Sequence, residues 1–201
     1  MPDLTLQLIV VRVLVVLLLS AVQGGAVAAA AVLLGDQGPR HDGRLGLSPF
    51  RHLDVLGAAG LVVFGLGWSK PVAIDPAELR FGRLALVPIV LAGTVALLST
   101  AAVLHLLTAP ALTTLGLSAG LLAAAFLRTA AALSVANGLF GLLPVPPLTG
   151  GHLLAALGIR VPARLHWVFA AGLLVVVAAG LAETVIAPGE AVLAPLLTGV
   201  D

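Results

Sequence analysis

The sequence has little charge and no cysteine. Only 9% of its 201 residues are charged, whereas 60% are hydrophobic and the mean hydropathy is +1.18. A water-soluble domain of this size needs about 25% charged residues to cover its surface. We therefore expect lipid to surround most of the chain. The absence of cysteine excludes disulfides, thiolate metal sites and a cysteine nucleophile.

The charge distribution narrows the class of function further. The formal net charge is +1, and no basic cluster with interleaved aromatic residues occurs, so we expect no nucleic-acid partner. The length suffices for one compact bundle, and we treat residues 1–201 as a single membrane domain. No internal repeat is visible, which argues against an inverted-repeat transporter. The middle of the apolar runs lacks the polar residues that line a channel.

Long apolar runs predict an all-α polytopic membrane protein with about four spanning helices. These runs cover residues 4–34, 84–107, 111–143 and 164–186, and Pro110 predicts a tight turn between the second and the third. A further run, 53–67, has about 15 residues, which is short of the roughly 20 needed to cross. The tail 187–201 is apolar but interrupted by proline and glycine. We expect it to lie at the interface or to dock on the bundle.

Basic residues predict the topology, because lysine and arginine prefer cytoplasmic loops. If the segment 53–67 dips into the membrane and returns, the loops 37–51 and 68–83 share one side with Arg160 and Arg164. If the segment spans, these two loops face opposite sides. The first arrangement fits the charge rule better, so we predict a re-entrant segment, cytoplasmic basic loops and two periplasmic ends. Such a segment should pack against the bundle interior.

Four short motifs occur in a fixed order between residues 20 and 155. They read LGD at 34–36, GRL with SP and HLD within 43–54, GWSKPV with DP within 67–76, and LLPVPPLTGG at 142–151. Together they resemble motifs of the site-2 protease (peptidase M50) family of intramembrane metalloproteases, in particular its small bacterial branch without a PDZ domain. The resemblance implies the core of that family, with a re-entrant loop after the first helix.

The resemblance also implies where a zinc site would lie, and the required residues are missing. In the family, H-E-x-x-H on the first helix supplies two zinc-binding histidines and a general base, and an aspartate in LDG completes the site. The matching positions here are Gln23, Gly24, Val27 and Thr149, and the family's asparagine before LLP matches Gly141. The resemblance therefore predicts a pseudoprotease with no catalytic residues, no metal and no cofactor.

An active zinc protease with relocated ligands is the alternative. His52 and Asp54 lie two residues apart in a loop, and His152 follows the Pro/Gly-rich break, so these three side chains are candidates for a substitute metal site. The simpler interpretation is that His52 and Asp54 brace the loop, because both match structural positions of the family motif. We favour the simpler interpretation.

Two arginines lie within apolar runs. A charge at membrane depth costs roughly 2.5 kcal/mol or more and marks a candidate functional site. Arg12 lies at about the expected depth of Glu183, which predicts an ion pair between them. Arg128 lies near mid-span without an evident partner, and its candidate partners are backbone carbonyls, a lipid head group or a carboxylate of another protein. No basic region precedes the first run, so we expect that run to be retained rather than cleaved as a signal peptide.

These predictions combine into one function. We expect a catalytically inactive protein of the bacterial cytoplasmic membrane that binds other transmembrane segments as a structural, assembly or accessory subunit. The expected partners are other integral membrane proteins, in a hetero-oligomeric complex, together with lipids. Respiratory and photosynthetic complexes are both candidates.

Overall fold

The computed structural model describes residues 4–159 and 161–199, and within them the secondary structure is helical apart from one isolated β-bridge. Arg160, which the charge argument used, lies outside these residues. The α-helices of the described residues are α1 Leu6–Leu33, α2 Gly38–His41, α3 Pro49–His52, α4 Val55–Phe64, α5 Leu86–Leu106, α6 Thr108–Thr114, α7 Leu117–Phe140, α8 Gly151–Ala156, α9 His166–Ala178 and α10 Leu181–Thr198. The all-α prediction is confirmed.

Four helical stretches of the described chain are long and apolar enough to cross a membrane, which is the architecture of a multi-pass membrane protein. They are residues 6–33, 82–114, 117–140 and 181–198. The first three correspond to predicted runs. The turn between the second and the third lies at Leu115 and Gly116 rather than at Pro110. Pro110 lies in the first turn of α6, where a proline interrupts no helical hydrogen bond.

The structure corrects the bounds of the fourth predicted span, 164–186. That stretch is divided between α9, which has 13 residues and is short for a crossing, and α10. The break lies at Gly180, whose φ of +73° is a left-handed conformation that glycine adopts without steric cost. The helix α10 then continues through most of the predicted tail, with Pro188 and Pro195 inside it. Prolines are tolerated in membrane helices where neighbours satisfy the freed backbone groups.

The helices α1, α5 and α7 form the centre of the bundle, and α4 contributes one residue to their shared core. Small side chains occur at many of these contacts, and they let membrane helices approach closely. The buried residues of this core are Val15, Val16, Leu19, Leu61, Leu97, Ala101, Leu104, Ala130, Ala131 and Val135.

The segment 53–67 enters and leaves the bundle at adjacent points. Leu53 faces Ser69 across an antiparallel bridge, and the Lys70 amide donates to the His52 carbonyl at 2.7 Å. Between these points the chain forms α4, whose left-handed C-cap is Gly65 at φ +90°. We call residues 65–71, which run back alongside α4, the return limb. Adjacent entry and exit are the geometry expected of a re-entrant segment.

Candidate functional site

Three of the four positions that match the family's metal site converge in the structure. Gln23 and Val27 lie one turn apart on α1, Thr149 lies between α7 and α8, and all three surround Gly93 of α5. A Cβ atom on Gly93 would lie 2.8 Å from Val27 Cγ2, 3.4 Å from Gln23 Cγ and 3.8 Å from Thr149 Cγ2. The fold thus brings the family positions together, although they carry neither imidazole nor carboxylate.

The fourth position, Gly24, is covered by the imidazole ring of His52. A Cβ atom on Gly24 would clash with His52 Nδ1 and would lie 2.7 Å from the ring Cγ and 2.9 Å from the His52 Cβ. The His52 side chain is completely buried there. A glutamate at residue 24 would therefore require His52 to move. The absence of a side chain at residue 24 and the buried position of His52 are therefore two aspects of one contact.

Both ring nitrogens of His52 are engaged. Nε2 lies 3.0 Å from the Gly46 carbonyl oxygen, and Nδ1 lies 3.5 Å from Nη1 of Arg44. A carbonyl only accepts and a guanidinium only donates, so the ring is neutral with its hydrogen on Nε2. Burial lowers the pKa of His52, the hydrogen bond to Gly46 opposes this, and the charges of Arg44 and Arg51 lower the pKa further. The ring in this position has no lone pair free for a metal ion.

Arg44 connects His52 to the return limb. Its guanidinium donates to the carbonyl oxygens of Lys70 at 3.4 Å and Pro71 at 3.1 Å, and the residue is buried. Burial lowers the pKa of Arg44, and the nearby Asp42 carboxylate opposes that shift. Sequence reasoning missed this role of Arg44. The available signal was its place in the GRL motif, which the family resemblance covers.

Two amide side chains attach α1 and α7 to the return limb. The Ser69 hydroxyl donates to Gln23 Oε1 at 3.1 Å. Asn137 Nδ2 donates to the Gly65 carbonyl at 3.1 Å, and its Oδ1 accepts from the Gly67 amide at 2.9 Å. The cavity beside these groups measures only about 10 Å³, which is about the space of a single water molecule. The side chains around Gln23, Ser69 and Asn137 therefore leave almost no open space between them.

Gly141 makes room for the Gln23 amide. A Cβ atom on Gly141 would lie 2.7 Å from Gln23 Nε2. In the sequence, Gly141 is only the position at which the family motif has an asparagine. The structure gives the loss a consequence, because a side chain at residue 141 would displace the glutamine that bonds to Ser69.

The structure does not bring His52, Asp54 and His152 together as a metal site. Asp54 caps α4, with Oδ1 accepting from the Gly57 amide at 2.9 Å. His152 lies in α8, where burial lowers its pKa and the backbone of Val72 opposes that shift. Throughout residues 4–159 and 161–199, no three His, Cys, Asp or Glu side chains are close enough to hold one metal ion.

Arg12 binds backbone carbonyls instead of forming the predicted ion pair with Glu183. Its Nη1 donates to the carbonyl oxygens of Val62 at 3.0 Å and Val63 at 2.8 Å, in the last turn of α4. Carbonyls at a helix C-terminus lack helical partners, and the positive charge also complements the helix dipole there. Glu183 lines the same cavity as Arg12, on α10. The two charges are thus neighbours without direct contact.

Arg128 lies on the outer surface of α7. Its side chain is exposed and forms no hydrogen bond with any residue in the described ranges. Of its three candidate partners, backbone carbonyls of these ranges are therefore ruled out, which leaves a lipid head group or another protein.

One curated protein is similar to the chain over part of its length. The chain is 35% identical over 125 residues to the Bacillus subtilis (strain 168) protein named "Putative zinc metalloprotease YwhC". The match covers 60% of this chain and 56% of that relative, so the chain spans little more than half of the relative's length. No protein-family model matches the chain, and no solved structure matches it. The similarity supports the site-2-protease-like relationship that the motifs indicate.

Proposed function

We propose that this chain is a catalytically inactive, site-2-protease-like membrane protein that binds other transmembrane segments without cleaving them. It serves as a structural, assembly or accessory subunit of a larger membrane complex. The observation that carries the proposal is the position of His52, whose ring takes the space that a side chain at Gly24 would need.

Hydrolysis on this scaffold would need a metal ion to activate water and a base to accept its proton. The matching positions offer an amide at Gln23, no side chain at Gly24, an isopropyl group at Val27 and a hydroxyl at Thr149. None of these groups is a usual zinc ligand in proteins. The neighbouring His52 is neutral and hydrogen-bonded through both nitrogens. The proposal therefore assigns no bond-breaking step to this region.

A binding role fits what the scaffold retains. The hydrogen bonds of Gln23 and Asn137 hold the return limb between α1 and α7. Many large apolar side chains lie on the outer surface of the long helices, where lipid or other membrane helices would cover them. We place the protein in the bacterial cytoplasmic membrane, with its basic loops cytoplasmic and both ends periplasmic. Respiratory and photosynthetic complexes are candidate assemblies.

The alternative function is that of an active zinc protease with relocated ligands, which the name of the Bacillus relative favours. That function would require His52 to leave its contacts with Gly46 and Arg44. It would also require His52 to meet Asp54 and His152, which now have separate roles.

Metal analysis separates the two functions. The protein is purified in detergent with an affinity tag that contains no histidine, incubated with zinc and washed, and its zinc content is measured by mass spectrometry. We expect far less than one zinc ion per chain. The alternative would replace the proposal if the wild type bound one zinc ion per chain and if His52→Ala or His152→Ala removed that ion. The control variant His105→Ala would have to retain it.

A further inference from the structure

A cavity of about 590 Å³ lies between the start of α5 and helix α8, and we call it the α5–α8 cavity. Residues 74–77 form one wall, the first residues of the 82–114 span form the second, and the segment from His152 to Gly158 forms the third. The volume is within the range of small-ligand sites, roughly 300–1,000 Å³. None of the four positions that match the family's metal site lines this cavity.

Two walls of the α5–α8 cavity carry opposite charges. Arg83 lies in the short 3₁₀ turn Gly82–Ala85 and is exposed, and its Nη1 lies 3.1 Å from the position that a Cβ atom on Gly158 would take. Asp75 is exposed on another wall, where its Oδ1 accepts from the Ala77 amide at 2.9 Å. This bond leaves the second carboxylate oxygen of Asp75 available to a ligand. A ligand with one anionic and one cationic group complements these walls.

Large apolar side chains surround the charged groups. Phe81 and Leu84 lie within two residues of Arg83, and Leu157 and Ile159 are the neighbours of Gly158 in the sequence. All four side chains are more than half exposed. An apolar rim around a charged cavity fits an amphiphile better than a small soluble zwitterion, which would leave that rim in water. The cavity also lies where a span begins, which is the level at which lipid head groups meet the apolar layer.

The charges of the cavity select among phospholipids. Phosphatidylethanolamine carries a phosphate and a primary ammonium group above its acyl chains. A guanidinium binds phosphate through two parallel hydrogen bonds, and a carboxylate accepts from an ammonium group. Phosphatidylglycerol offers the phosphate without the ammonium, so Asp75 would have no partner in it. The methylated ammonium of phosphatidylcholine has the charge but no hydrogen to donate.

We propose that the α5–α8 cavity binds the head group of phosphatidylethanolamine, with Arg83 on the phosphate and Asp75 on the ammonium group. The acyl chains then cover the apolar rim. Basic pockets beside membrane helices are common sites for lipid head groups, and the carboxylate adds the selectivity for a zwitterion. This inference goes beyond the proposed function and holds equally for a protein that cleaves a helix and for one that only binds it.

The test compares lipids on the intact protein by native mass spectrometry. The protein is purified in detergent, stripped of lipid and titrated with phosphatidylethanolamine, phosphatidylcholine or phosphatidylglycerol that carry identical acyl chains. We expect one phosphatidylethanolamine per chain to bind about tenfold more tightly than either other lipid, because a hydrogen bond to a charged group is gained. Free phosphoethanolamine at the same concentration should not displace it, because it has no chains to cover the rim.

Charge-neutral variants locate the site. Arg83→Gln should weaken binding of phosphatidylethanolamine about tenfold, whereas the control Arg164→Gln, at an exposed arginine that does not line the cavity, should retain wild-type affinity. Asp75→Asn keeps the oxygen that accepts from Ala77 and should remove the preference for phosphatidylethanolamine over phosphatidylglycerol. The control Asp42→Asn, at an exposed carboxylate outside the cavity, should retain that preference.

Four results would overturn the inference. Equal binding of the three lipids by the wild type would show that the cavity does not read the head group. Tighter binding of phosphatidylglycerol would assign the effect to positive charge alone. Displacement by free phosphoethanolamine would assign the cavity to a soluble ligand. A preference for phosphatidylethanolamine that persists in Asp75→Asn would place the lipid elsewhere. The first three results need only the wild type, so they decide the matter even if a variant fails to fold.

Discussion

Two adjacent glycines of α1 give the sharpest prediction, because only one of them contacts His52. A Cβ atom on Gly24 would lie 2.7 Å from the His52 Cγ, whereas a Cβ atom on Gly25 would meet only Leu47 Cδ2 at an ordinary 3.6 Å. Replacing either glycine by alanine within a helix gains about 1 kcal/mol of helix propensity. Overpacking of a buried site costs about 1–3 kcal/mol. The difference between the two variants therefore isolates the contact with His52.

We expect Gly24→Ala to be less stable than Gly25→Ala by about 1–3 kcal/mol, and Gly25→Ala to be as stable as the wild type or slightly more so. The free energy of unfolding is measured by titration with denaturing detergent in mixed micelles. Repeating the pair of variants in a His52→Ala background should shrink the difference, because the ring atoms that cause the clash are gone. Equal stability of the two alanine variants would refute the placement of His52 over Gly24.

Three further predictions concern the polar contacts around α4. Asn137→Ala should lower the free energy of unfolding by about 2–4 kcal/mol, because it leaves buried backbone groups of the return limb without partners. The control Ser134→Ala, on the same helix, removes only a bond to the helix's own backbone and should cost less than about 1 kcal/mol. Similar costs for the two variants would contradict the role of Asn137 in holding the return limb. Arg12→Met should speed hydrogen exchange in the last turn of α4, measured by mass spectrometry, and unchanged exchange would show that Arg12 does not hold that turn. The free energy of unfolding should fall as the pH decreases through about 6.5, because the fold lowers the pKa of His52 and the unfolded chain then binds more protons. This free energy should depend more steeply on pH in the wild type than in His52→Gln. Equal dependence in the two proteins would contradict the buried neutral ring.

The long helices could be predicted from composition because the membrane allows few alternatives. A run of apolar residues in lipid must satisfy its own backbone hydrogen bonds, and a helix does so within one segment. This argument found α1 and α7. It failed at Gly180, because the residues on both sides of the break are equally apolar and hydropathy carries no information about one left-handed residue.

The candidate site could be predicted in part. The family resemblance implied that Gln23, Val27 and Thr149 lie close together. In the structure all three surround Gly93. The cover of Gly24 by His52 could not be foreseen, because it depends on how the loop carrying α3 packs against α1. The ion pair of Arg12 with Glu183 was inferred from depth alone. Depth does not reveal that the unpaired carbonyls at the end of α4 lie within hydrogen-bonding distance of Arg12.

The central claim, that this scaffold binds a transmembrane helix without cutting it, is tested most directly by the mass of a bound helix. The protein and a synthetic peptide of one transmembrane helix are incubated together in nanodiscs with zinc present, and the peptide is then recovered and weighed by mass spectrometry. The account predicts association with the protein and recovery of the peptide at its full mass. Fragments that appear only with the protein, and that vanish when phenanthroline removes zinc, would contradict it.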